Sequence, residues 1–209
     1  MADREFRRCF RDPVPAIELA KQALERAAEA HLSGKKSLAE EAIREADHPD
    51  VREWVESIWG ADSPYVNVRE LPNAPPILAK ADRIQVRIPN AAEKAELHRR
   101  DGFHCRFCGV PVIRVEVRKL LQQAYPNALQ WGSRNSNQHA AFQAMWLQYD
   151  HVLPHARGGG NGNDNVVITC APCNFGRMDH TLEEVGLLDP REIEPIQSDW
   201  DGLDRLMPR

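Results

Sequence analysis

The chain contains no apolar run approaching the roughly 18 residues that a membrane-spanning helix requires, so a helical membrane protein is excluded. Its first ten residues, MADREFRRCF, mix charges of both signs and lack an apolar centre, so the expectation is a cytoplasmic protein without a secretory signal. Cysteine is scarce and odd in number, at five, which argues against a disulfide framework. No internal repeat or low-complexity tract occurs. Positive charge is not in excess either, because the net charge is −4, the wrong sign for a chain that binds phosphate. What remains is ordinary: 42% hydrophobic and 28% charged residues, as in soluble globular proteins. A length of 209 residues suffices for one sizeable core with a satellite, or for two small domains.

Four of the five cysteines fall in two Cys-x-x-Cys pairs, Cys105/Cys108 and Cys170/Cys173, and Cys9 is left as a free thiol. Charge is also unevenly placed. Residues 1–75 carry a net −4 and residues 181–209 a net −5, whereas residues 76–180 carry +5. The cysteine-bearing third is thus the basic one, the sign expected of a phosphate-binding surface, although four metal-bound thiolates would cancel much of it locally.

Residues 1–60 read as a helical N-terminal region. Ile17, Ala20, Leu24 and Ala27 recur at helical spacing, and Pro15 suits a first turn. Ser37 with Glu40, and Asp50 with Glu53, match the capping pattern and predict two further helices. The last, Val51 to Trp59, is stopped by Gly60, and its Trp54 and Trp59 are expected in the core rather than as a base-stacking surface. Residues 61–90 hold five prolines among extended pieces such as Ile84–Ile88 and read as a linker or arm containing the domain boundary. Asn90 and Glu93 cap a short helix, Ala91–Arg100. A second unit is expected over 91–180 with an insertion at 110–147, in which Val112–Tyr125 looks helical. The acidic tail, 181–209, opens with a helix at Thr181–Val185 and then reads as solvated or docked.

Two Cys-x-x-Cys turns present four soft sulfurs, a donor set for Zn²⁺ or an iron–sulfur cluster, with zinc preferred. A closed four-sulfur shell has no open coordination position, so such a metal is structural. Between the pairs lies Asp150-His151-Val-Leu-Pro154-His155-Ala-Arg157-Gly-Gly-Gly160-Asn-Gly-Asn-Asp-Asn165, then Val166-Val-Ile-Thr169. Two apolar ends around a polar, glycine-rich turn predict a hairpin, and Pro172 opens a helix running to about Met178. Asp150 and Asn174 offer hard oxygens suited to Mg²⁺ or Mn²⁺, and His151 is a base suited to neutral pH. Neighbours on a strand face opposite ways, so Asp150 and His151 can share a site only if the strand ends or twists there.

This ordered set resembles the HNH endonucleases of the ββα-metal (His-Me finger) type, in the branch with two zinc-binding Cys-x-x-Cys pairs. The resemblance covers residues 97–177, through Arg100-Asp-Gly-Phe-His-Cys105-Arg-Phe-Cys108-Gly109, Asp150-His151-Val-Leu-Pro154, Arg157-Gly-Gly, Asn163-Asp-Asn165 and Cys170-x-x-Cys173-Asn174-x-x-Arg177. It implies an α+β fold and a structural zinc on Cys105, Cys108, Cys170 and Cys173. It further implies His151 as general base, Asp150 and Asn174 on a catalytic Mg²⁺ or Mn²⁺, and Asn165 pinning the hairpin loop. The implied reaction is phosphodiester hydrolysis leaving a 5′-phosphate and a 3′-hydroxyl. Arg177 stands where the family often has lysine; with Arg157 and His155 it is expected to touch the substrate. DNA is the expected substrate. A nuclease acting mainly on RNA and a zinc ribbon that binds nucleic acid without cutting are the alternatives. The N-terminal helices could serve a homodimer or a protein partner, and the insertion either shapes substrate choice or adds packing. The remaining histidines, His31, His48, His98, His104 and His139 among them, are expected at the surface or without special role.

Overall fold

The computed structural model describes residues 6–59, 62–86 and 88–208. Three helices open the chain: α1 (Pro15–Leu32), α2 (Lys36–Ala46) and α3 (Pro49–Ile58). Pro15 and Pro49 both occupy the first turn, where a missing N–H costs nothing. The start of α3 is therefore earlier than the Asp50/Glu53 pattern implies: His48 is its cap and accepts from the Asp50 amide. A residue before proline is held extended, which places the boundary there. Nor does Ser37 cap α2, because that helix has already begun at Lys36. Gly60, the expected stop signal of α3, lies outside the described residues. On α1, Ala20, Ala23, Leu24, Ala27 and Ala28 form a fully buried stripe against α2. A buried Leu contributes about 1.5–3 kcal/mol. Trp54 is buried as expected, and its Nε1 donates to the Asp12 carbonyl.

The second half contains α4 (Ala91–Asp101), α5 (Val115–Ala124), α6 (Ala140–Ala144), β1 (Leu147–His151), β2 (Val166–Cys170), α7 (Ala171–Arg177) and α8 (Leu182–Val185). Helix α4 has the full capping box: the Asn90 side chain accepts from the Ala92 and Glu93 amides, and Glu93 accepts from the Asn90 amide. Strands β1 and β2 pair antiparallel, with Leu147 opposite Cys170 and His151 opposite Val166. The expected α+β architecture is present: a largely helical N-terminal region, then a ββα motif whose four cysteines cluster. No helix among the described residues is long and apolar enough to cross a membrane.

The two halves share one buried core that runs from Cys9 to Leu206. Helix α6, from the insertion, packs on α3 and α7; His139 at its start is buried, with Nε2 donating to the Ile43 carbonyl, and Asp47 accepts from the Ala140 amide. Burial lowers the pKa of His139, so it serves as a neutral strut rather than a surface group. His104 is buried as well. The acidic tail is docked: Trp200 is buried with Nε1 donating to the Val112 carbonyl, and Arg106 reaches the Pro190 and Ile193 carbonyls.

Candidate metal centre and adjoining cleft

The Sγ atoms of Cys105, Cys108, Cys170 and Cys173 all lie within 4.8 Å of one another, with Cys108 and Cys170 at 3.6 Å. Four sulfurs around one ion at about 2.3 Å would be spaced about 3.8 Å apart, so the cluster fits a tetrahedral metal. Two turns build it. Cys105 and Cys108 come from the knuckle after α4, where the Cys105 amide donates to Val110 and the Gly109 amide to Cys105. Cys170 ends β2 and Cys173 lies in the first turn of α7. Burial opposes ionisation of Cys105, yet S–H donors from the other three hold its pKa well below the ordinary thiol value. Those of Cys108 and Cys170, chiefly by burial, and of Cys173, chiefly through its bond to Cys105, are raised in return. A divalent cation would replace the protons these sulfurs share. The fifth cysteine, Cys9, is a buried thiol whose pKa is pushed up to about 12 by burial, with Cys108 and Asp12 adding to the effect.

One carboxylate joins the knuckle to the hairpin. Asp101, fully buried at the end of α4, accepts from Arg100 Nε (2.6 Å) and Arg106 Nη1 (2.7 Å) and from the Ile168 amide (2.9 Å). It precedes the first cysteine pair in sequence and ties that knuckle to β2, the strand that ends at Cys170.

The ββα motif borders a cleft of about 760 Å³. Gln148, Asp150, His151, His155, Asn174 and Asp179 are among its lining residues. Asp150 and His151 reach the same cleft because they are the last two residues of β1, beyond which the chain turns through Pro154 into the loop. Asp150 is held in a two-pronged ion pair by Arg177, Nε to Oδ2 at 3.1 Å and Nη2 to Oδ1. Burial raises its pKa from the ordinary carboxylate value, against the opposing pull of Arg177. Asn174 turns its Nδ2 toward Gln148 Oε1 at 3.5 Å, leaving Oδ1 as an acceptor on the cleft side of α7.

His151 is engaged through a residue that the sequence did not single out. Its Nε2 lies 2.8 Å from Asn161 Oδ1, and Asn161 Nδ2 donates to the Val86 carbonyl at 2.6 Å. A carbonyl only accepts, so Asn161 must present oxygen to the imidazole, and Nε2 carries the proton of the neutral ring. The His155 ring lies 5.6 Å from that of His151, and its Nε2 donates to the Ile84 carbonyl at 2.8 Å. Asn165 spans the loop: Oδ1 accepts from the Leu153 amide at 2.8 Å, and Nδ2 donates to the Leu153 and Gly160 carbonyls. The turn closes so tightly that a Cβ on Gly159 would lie 1.8 Å from the Leu153 oxygen. Tyr149 also lines the cleft and bonds His98 at 2.8 Å; burial drives the His98 pKa down to about 4, so that residue is not the surface histidine expected.

Arg177 and Arg157 sit inside the protein. Arg177 is fully buried, with Nη1 donating to His180 O (2.8 Å) and Nη2 also donating to His151 O. Arg157 donates from Nε to Asp179 O (2.7 Å) and from Nη2 to Glu184 (3.0 Å), and a third bond reaches Pro75 O. Removing one partner of a buried pair leaves the other charge without compensation, at about 3–5 kcal/mol. Arg177→Met should therefore lose stability of that order in chemical denaturation, far more than exposed Arg99→Met; equal losses would show the Arg177 pair to be structurally idle.

Comparison of the chain with family models, with curated proteins and with solved structures found no match.

Proposed function

We propose that this chain is a metal-dependent endonuclease of the HNH type that hydrolyses phosphodiester bonds, with DNA as the substrate. The observation that carries the reading is the gathering of Asp150, His151, His155 and Asn174 around one cleft on a ββα motif stapled by four sulfurs. Zinc on Cys105, Cys108, Cys170 and Cys173 is the structural ion, since that donor set is closed and soft. Asp150 and Asn174 would hold a Mg²⁺ or Mn²⁺ ion: each carboxylate oxygen keeps a lone pair beyond its bond to Arg177, and Asn174 Oδ1 supplies a second hard donor. When bound, this ion supplies charge stabilisation at the phosphate and the departing oxygen.

The side chains account for the remaining requirements. His151 accepts a proton from the attacking water as its oxygen bonds to phosphorus. The P–O3′ bond breaks, the 3′ oxygen gains a proton, and the products are a 5′-phosphate and a 3′-hydroxyl. Arg177 is a positioning residue, fixing the Asp150 carboxylate and the His151 carbonyl in one orientation. Asn165 and Gly159 hold the loop that brings His155 and Asn161 to the cleft.

The test offers supercoiled plasmid, single-stranded DNA and RNA in parallel to the purified chain, with and without added Mg²⁺ or Mn²⁺. Nicking or linearisation of plasmid that depends on added ion, with 5′-phosphate ends, is expected, and Asn174→Ala should shift the Mg²⁺ requirement upward by about tenfold or more. Preferential loss of RNA would reassign the substrate. Binding without cleavage under every condition would leave a zinc-stapled binding module.

A further inference from the structure

Resting on the nuclease reading, we propose that the segment 75–86 is the substrate-gripping arm of the cleft, with Lys80 and Arg83 contacting backbone phosphates of the bound strand. The inference starts from the two arginines that the motif suggests for that task. The three guanidinium nitrogens of both Arg157 and Arg177 donate within the protein, Arg157 to Asp179, Pro75 and Glu184 and Arg177 to Asp150, His151 and His180. To meet a phosphate, either would have to abandon bonds that hold the hairpin. Among the described residues, the only Lys and Arg side chains lining the cleft are Lys80 and Arg83.

The arm is built to present them. Besides the bond from Arg157 to Pro75 O, three bonds fasten it to the hairpin loop: Leu78 N to Ala156 O (2.8 Å), His155 Nε2 to Ile84 O (2.8 Å) and Asn161 Nδ2 to Val86 O (2.6 Å). The Leu78 methyl also approaches Gly158, and that of Ile84 approaches Gly160. Between the first two anchors lies a single 3-10 turn, Lys80–Asp82, followed by Arg83. Arg83 Nε donates to the Leu78 carbonyl at 3.0 Å, which fixes the guanidinium plane; its terminal nitrogens, like Lys80 Nζ, have no protein partner among the described residues. Of the lining carboxylates Asp150 is already paired with Arg177, which leaves Asp179 as the one other acid of the lining, with Asp82 beside Lys80 in the turn. The anchors bond the same loop residues that stand beside His151, so a strand gripped by the arm would be registered against the base.

The experiment measures binding of a fluorescein-labelled 20-mer duplex and of its single strand as a function of salt, using His151→Ala chain without added Mg²⁺ so that the probe stays intact. Each lost phosphate contact lowers the slope of log affinity against log salt by about one. Lys80→Gln/Arg83→Gln should therefore lower the slope by about two and weaken binding, and in the His151-containing chain it should raise KM while kcat is retained. Lys80→Arg/Arg83→Lys should restore the parent slope, which a misfolded variant could not do. Lys36→Gln, exposed at the start of α2 and not among the cleft's lining residues, should leave it unchanged. An unaltered slope in the double Gln variant, with parent binding and cleavage intact, overturns the arm's role and leaves the nuclease reading standing. Absence of both binding and cleavage in the parent chain overturns the two together.

Discussion

His151→Ala is expected to reduce ion-dependent cleavage by about 10²–10⁴-fold, the usual contribution of a positioned acid–base group. The residue ends β1 with its imidazole held by Asn161 and its carbonyl by Arg177, so the ring is set by two elements that alanine leaves in place. Zinc content, far-UV circular dichroism and affinity for the 20-mer duplex should all match the parent. The four sulfurs lie elsewhere on the motif, and neither Lys80 nor Arg83 bonds to His151. Added imidazole should restore part of the lost rate, because the cavity left by the ring opens on the cleft. A variant that cuts at the parent rate would remove His151 from the mechanism. One that loses binding as well would show that the ring has a structural task instead.

Cys173→Ser is expected to cost the ββα motif its fold. Structural zinc binds thiolate peptides with on the order of 10–16 kcal/mol, comparable with the entire stability of an average domain at about 5–15 kcal/mol. The motif alone cannot replace that. Its sheet has two five-residue strands, and α7 is a seven-residue helix, elements too short to stand without tertiary support. Metal analysis should find about one zinc per parent chain and a sub-stoichiometric amount in the variant. Hydrogen exchange should show lost protection across Leu147–Arg177, while α1 and α2, which bury their faces mainly against each other, retain more of theirs. A Cys173→Ser chain with parent-like protection and melting temperature would mean that the sulfurs need no metal to stay together.

The hairpin and its helix were readable because each carries local chemistry: β-branched residues on β2, the aromatic Tyr149 on β1, glycines in the turn and Pro172 at the helix start. The capping pair Asn90/Glu93 was readable for the same reason. Ser37/Glu40 shows the limit, since the same kind of capping pattern sits inside a helix that Lys36 had already begun. What was hidden is what depends on backbone carbonyls far away in sequence. The arm's attachment runs through the Ile84 and Val86 oxygens, the burial of Arg177 through those of His151 and His180, and the docking of Trp200 through that of Val112. Every residue has such an oxygen, so no side-chain pattern announces its partner. The place of His98 under Tyr149 was hidden for a related reason: a lone histidine on a helix gives no sign of the strand that will cover it.

The contact between Gly159 and the Leu153 oxygen divides the cleft into a part that can vary and a part that cannot. A side chain at 159 has no room, and a longer turn would pull Asn165 away from the carbonyls it spans. The exposed side chains of the opposing arm, Ile77, Ile84, Val86 and Ile88 among them, meet no such barrier. On the proposed nuclease reading, changes of substrate preference, whether by selection or by directed mutagenesis, have one wall of this cleft open to them, and the wall that carries His151 is closed.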